Sequence, residues 1–101
     1  MKRLVFFTPE AVAEFNSIAE NYRAVRPKLE FKFSAAVDRV LKSILEFPMI
    51  GSKIIKNSRR VKLQRFPYHI YYKPRHDRII IWAVFHAHRD IQPLKKKEAR
   101  A

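Results

Sequence analysis

Residues 78–88, RIIIWAVFHAH, run apolar from Ile79 to Phe85 without alternation, so a strand built from them has no face to give to water. Such a strand belongs in the centre of a sheet, covered by helices. Upstream of it, across the charged turn PRHD, lies YHIYYK. Before that RRVKLQRF alternates, with Val61 and Leu63 on one face and Arg60, Lys62 and Gln64 on the other. Three β-rich segments in close succession predict an antiparallel meander.

The covering helices come from the first half of the chain. Thr8 can cap a helix, Pro9 suits its first turn, and Glu10 complements its dipole. Ala11, Phe15, Ile18, Tyr22 and Val25 then recur at helical spacing. Pro27 ends that helix and opens the next, whose stripe is Phe33, Val37, Val40, Leu41, Ile44 and Leu45 until Pro48 stops it. Residues 48–58 hold the sole glycine and read as a loop with KII as a brief extended piece. RLVFF at the start is a short β-favouring run. The expected fold is therefore α+β, a helical hairpin packed on an antiparallel sheet in the order β-α-α-β-β-β. One domain is expected over residues 1–94. Residues 95–101 read as a basic C-terminal tail, either a flexible arm or a frayed terminus.

At 101 residues the chain has room for one core, and with no cysteine that core is held by packing alone. No apolar run approaches the ~18 residues of a membrane helix, and the opening residues are broken too early for a secretory signal. A cytoplasmic protein with no membrane partner is expected. The formal charge is +13 and sits unevenly: residues 1–50 carry eight Lys/Arg against six Asp/Glu, residues 51–101 fourteen against three. Such a field attracts polyanions or an acidic protein.

Two stretches carry the candidate chemistry. Residues 53–65 place Lys53, Lys56, Arg59, Arg60, Lys62 and Arg65 together without an acid. On the solvent side of a sheet they form a phosphate-binding stripe, or else a solvated edge that discourages aggregation. At the end of the last strand, HAHRD puts His86 and His88 on one face and Phe85, Ala87 and Arg89 on the other, if the strand runs that far. There Arg89 can grip an anion with Asp90 fixing its orientation, or the pair can simply end the strand. His86 and His88 alone are too few ligands for a metal, and no metal or other cofactor is expected. Tyr68 and Tyr72 share a face with Ile70, which suits core packing.

EFPMIGSK at the end of the helical hairpin, RFPYHIYY and IIIWAVFHAHRD occur in order over residues 3 to about 92. In these the chain resembles the RelE/ParE superfamily of bacterial toxins, most closely its ParE-like branch. The resemblance implies a toxin of a type II toxin-antitoxin (plasmid stabilisation) system, with a cognate antitoxin as partner. It also implies growth inhibition, either by binding DNA gyrase, as in the ParE branch, or by cutting mRNA on the ribosome, as RelE-like members do. For the nuclease alternative, the matched catalytic positions are Arg60, Lys62, His69 and Arg89. His69 stands where the pattern has arginine, and no tyrosine follows Tyr72 where a C-terminal one is usual. For binding a target or nucleic acid, the implied residues are Arg59, Arg60, Lys62, Arg65, His86, His88 and Arg89. A basic nucleic-acid-binding module without toxicity is the remaining reading.

Overall fold

The helix boundaries follow the cap and proline signals. In the computed structural model, which describes residues 3–100, helix α1 (Pro9–Val25) begins where the Thr8 Oγ1 accepts from the Ala11 N–H at 3.2 Å. Helix α2 (Pro27–Glu46) starts on Pro27 and stops before Pro48. The pair forms the expected hairpin. Its stripes meet in an aromatic cluster centred on Phe33, fully buried, with Phe15 and Tyr22 at ring distances of 5.3 and 5.5 Å. Only the ends of the predicted stripes miss the core, with Val25 72% and Leu45 38% exposed.

The strands are β1 (Leu4–Phe7), β2 (Ser52–Ile55), β3 (Ser58–Lys62), β4 (Tyr68–Pro74) and β5 (Arg78–His86), joined in one sheet in the order β1-β5-β4-β3-β2. The meander is antiparallel as expected, and KII contributes β2. One pairing refines the expectation: β1 lies parallel to β5, Leu4 opposite Arg78 and Phe7 opposite Ile81. The helical hairpin returns the chain to the end where β1 finishes, and the three antiparallel strands β2, β3 and β4 then carry it to the end where β1 starts, so β5 can run parallel to β1.

Strand β5 sits between β1 and β4 and buries both faces. Ile79, Ile81 and Val84 pack with Ile70 and Tyr72 of β4 against the hairpin, whereas Trp82, Ala83 and Phe85 join Tyr71 on the opposite face. A register shift between Tyr71 and Tyr72 inserts an extra residue in β5, so consecutive Trp82 and Ala83 share a face. That shift is what delivers Phe85 to the face away from the hairpin.

The tail departs from both sequence readings of it. Residues expected to form a flexible or frayed end belong to a helix, α3 (Gln92–Arg100), which spans the anticipated boundary at residue 94 and covers part of the second face. Leu94 is buried beside Tyr71 and Trp82, and one turn on Glu98 is buried at 3% exposure. The Trp82 indole N–H donates to Ser58 Oγ at 3.1 Å, and Ser58 donates to Glu98 Oε2 at 2.8 Å. Lys73 Nζ lies 3.5 Å from the same carboxylate oxygen and donates to the Glu98 carbonyl at 2.8 Å. A single exposed-looking acid in a lysine-rich segment thus closes a buried polar network.

The other long connection, residues 47–51, is pinned by Tyr72, whose hydroxyl accepts from the Gly51 N–H and donates to the Pro48 carbonyl. A Cβ at Gly51 would stand 2.8 Å from that hydroxyl, so glycine is required by the close approach.

Lys73→Met should destabilise the fold by about 3 kcal/mol in urea unfolding, because it leaves the Glu98 carboxylate buried without its cation. The double variant Lys73→Met/Glu98→Leu should regain most of that loss.

Candidate functional site

The β3 and β4 side chains alternate between the two faces, and this sorts the basic residues. Lys62 is the cross-strand partner of His69, and His69 is the partner of Phe85 on β5. These three side chains make a row across the sheet on the face that α3 partly covers. Arg89 adds its charge to the row's end, its guanidinium carbon 4.7 Å above the Phe85 ring. Arg60 lies one pair further along, donating to the Tyr71 hydroxyl at 3.3 Å. Of the residues expected to act together, Lys62, His69 and Arg89 are therefore brought to one row, with Arg60 on the same face in the next one.

Burial, helped by the neighbouring cations, silences the row's histidine. Burial, and then the charges of Arg60, Lys62 and His88, push the His69 imidazole from its ordinary value down to about 4. Its buried Nδ1 has no hydrogen-bond partner among the described residues. At neutral pH the ring is neutral, with no imidazolium proton to give and little basicity to take one. These surroundings take it out of the near-neutral range in which a free histidine titrates.

Three other expectations change. Strand β5 ends at His86, and a turn follows in which the Arg89 N–H donates to the His86 carbonyl. The alternation that separated the histidines from Arg89 therefore stops, and His86, His88 and Arg89 border one open groove of about 690 Å³ beside α1. Asp90 does not orient Arg89: its carboxylate accepts from the Gln92 N–H at 3.0 Å at the start of α3. Nor is the basic stripe one surface. Arg59 points to the hairpin side and donates to the carbonyls of Met49 and Gly51, at 3.2 and 2.7 Å. Arg65 stands in the loop after β3 with φ at 69°, apart from the row.

Sequence reasoning passed over Glu14, which lines the groove, and Lys97, which binds it. Beyond Phe7 strand β1 ends, so β5 has an open edge, and there Glu14 Oε1 of α1 accepts from the Val84 N–H at 2.9 Å. Lys97 of α3 binds the other oxygen of Glu14. Glu14 thus ties α1, β5 and α3 at the border of the groove. Its position between the apolar stripe and the exposed side of α1 gave no signal of this. Among the described residues no three His, Asp or Glu side chains gather where they could hold a metal ion, and no helix is long and apolar enough to cross a membrane.

Comparison with known proteins places this geometry. The family model described as "ParE toxin of type II toxin-antitoxin system, parDE" matches residues 5–91. A chain from the chromosomal ParDE toxin-antitoxin system of P. aeruginosa superposes with a TM-score of 0.71 at 17% identity, covering 84% of this chain and 96% of that one. A mutant of the E. coli toxin RelE in the free state superposes with a TM-score of 0.63 at 14% identity, covering 99% and 97%. No curated protein sequence matches the chain.

The depressed His69 value fixes the sign of a pH effect. Unfolded histidine takes up a proton near pH 6.5, whereas the folded ring resists until about 4, so stability is complete above pH 6.5, falls between 6.5 and 4, and levels off below. Urea unfolding of the wild type across that window should show uptake approaching one extra proton on unfolding. His69→Gln should remove that component of the slope.

Proposed function

Because the chain belongs to the ParE family of toxins of type II toxin-antitoxin systems, we infer that it arrests growth by binding a macromolecular target in the cytoplasm. DNA gyrase is the target that the ParE branch implies, and the cognate antitoxin is the partner that restrains it. The observation that carries this reading is the character of the row. Arg60, Lys62 and Arg89 offer fixed positive charge, and the one titratable ring among them, His69, is held neutral. No tyrosine follows Tyr72 to serve as an alternative acid. A row of fixed cations whose own histidine is held neutral is suited to gripping an anionic partner more than to breaking a phosphodiester.

Ribosome-dependent mRNA cleavage is the second reading, favoured by one observation: the four positions that match the nuclease pattern lie on one face of the sheet, in two adjacent rows. Both readings use Arg89 as the exposed anchor. In the binding reading it meets an acidic group of the target, and in the nuclease reading it meets the scissile phosphate.

Expressed in cells, the wild type should arrest growth. The purified chain should block gyrase supercoiling while leaving mRNA on translating ribosomes intact in primer extension. Arg89→Ala, at an exposed position, should raise the concentration needed by about tenfold, equivalent to about 1.4 kcal/mol, without loss of fold. A-site cuts that vanish in Arg89→Ala would instead establish the nuclease. Salt-steep binding to bare DNA or RNA with no effect on growth would leave only a nucleic-acid-binding module.

A further inference from the structure

On the face of the sheet opposite the row, an open pocket of about 300 Å³ is lined by Met49, Lys53, Asn57, Arg59, Pro74 and Arg75. It sits where the β2–β3 turn meets the end of β4. Lys53 and Arg59 are direct cross-strand partners, and like charges set opposite each other destabilise a sheet. Arg75 adds a third cation, and no Asp or Glu lines the pocket. Among the described residues, none of Lys53, Arg59 and Arg75 has a carboxylate within ion-pair distance. The basic stripe of residues 53–65 thus divides between two faces, and its Lys53–Arg59 part gains a member from outside the stripe.

Two of these cations are held from behind. Arg59 directs its Nη1 hydrogens to the Met49 and Gly51 carbonyls at 3.2 and 2.7 Å, and the loop that carries those carbonyls is itself pinned by the Tyr72 hydroxyl. The guanidinium plane is therefore fixed, while its Nε and Nη2 hydrogens have no partner among the described residues. The Arg75 backbone is fastened at both of its polar groups: its N–H donates to the Arg78 carbonyl at 2.8 Å, and its carbonyl accepts from Arg3 Nε at 3.0 Å. Asn57 contributes a side-chain amide that can donate as well. Donors already held in place lose little freedom when an anion arrives.

We propose that this pocket is a phosphate site, in which Lys53, Arg59, Arg75 and Asn57 bind the oxygens of a phosphate group and relieve the like-charged pair on β2 and β3. Phosphate matches the site better than carboxylate does, because a multiply charged group with several acceptor oxygens can satisfy several cations at once. No aromatic ring lines the pocket among the described residues, so a base has nothing to stack on and recognition is of the phosphate alone. The group can come from a free polyphosphate or from a nucleic-acid backbone crossing the open mouth. Because Lys62, His69 and Arg89 lie on the other face, the pocket fills independently of the row. The proposal does not rest on the toxin reading.

The test titrates the full chain with sodium pyrophosphate and, separately, with a mixed-sequence single-stranded DNA 12-mer, followed by amide-resolved NMR. The wild type is compared with Lys53→Ser/Arg75→Ser, at two exposed positions, and with the charge-matched control Lys28→Ser/Lys42→Ser on the exposed side of α2. Circular dichroism confirms the fold of both variants. In the wild type, the amides of Lys53, Asn57, Arg59 and Arg75 should shift first, a result that needs no variant. Lys53→Ser/Arg75→Ser should bind roughly tenfold more weakly, while the control stays within about twofold of the wild type. A selective loss with pyrophosphate alone assigns the pocket to free polyphosphates; one seen with the DNA, alone or as well, assigns it to backbone phosphates. Equal weakening in both variants, shifts spread over the whole basic surface, or no binding of either probe by the wild type would overturn the proposal.

Discussion

Strand β5 has no face for solvent, and the rest of the architecture answers that demand. One side is closed by the helical hairpin through Ile79, Ile81 and Val84, the other by α3 through Trp82, Ala83 and Phe85. Burying both faces of a central strand removes apolar area from water on two sides at once. The extra residue at the bulge then decides which side chains meet which layer. Because α3 is short, it covers the second face only in part: Phe85 lies in the cluster with Leu94, and the Lys62 and His69 end of the row stays open. The site is thus the remainder of an incomplete layer.

What seats α3 is polar. Its apolar contribution to the core is little more than Leu94 and the preceding Ile91. Glu98, Lys73, Ser58 and Trp82 supply the rest through a closed network in which the indole N–H, the serine hydroxyl and the ammonium all find acceptors. A buried ion pair adds little net stability over an apolar pair, but a helix shifted by one residue would strand its charges, so the network selects one seating. The Lys97–Glu14 contact repeats this at the sheet's open edge.

The helical hairpin, the meander and the core roles of Tyr68 and Tyr72 were legible because they follow from local signals: Thr8, Pro27, Pro48 and apolar periods. The parallel pairing of β1 was not, since nothing in LVFF specifies a partner so distant in the chain. Helix α3 was missed because its buried side is half acid and its surroundings are lysines. Asp90 followed by Pro93 in the first turn was a helix-start signal that could have found it. The candidate site was legible in composition, not in arrangement. Alternation grouped Arg60 with Lys62 correctly, but the turn after His86 and the carbonyl contacts of Arg59 depend on tertiary structure.

The pairing of Leu4 with Arg78 also sets a clock on biosynthesis. The ribosome must add roughly 75 residues after β1 before its partner strand exists, which at about 5–20 residues per second is about 4–15 s. The hairpin of α1 and α2 can form early in that interval from local contacts, while Leu4 and Phe6 wait beside it without a sheet to join. A nascent chain of this design has no complete sheet until its last strands emerge, and the row across β3, β4 and β5 forms only then.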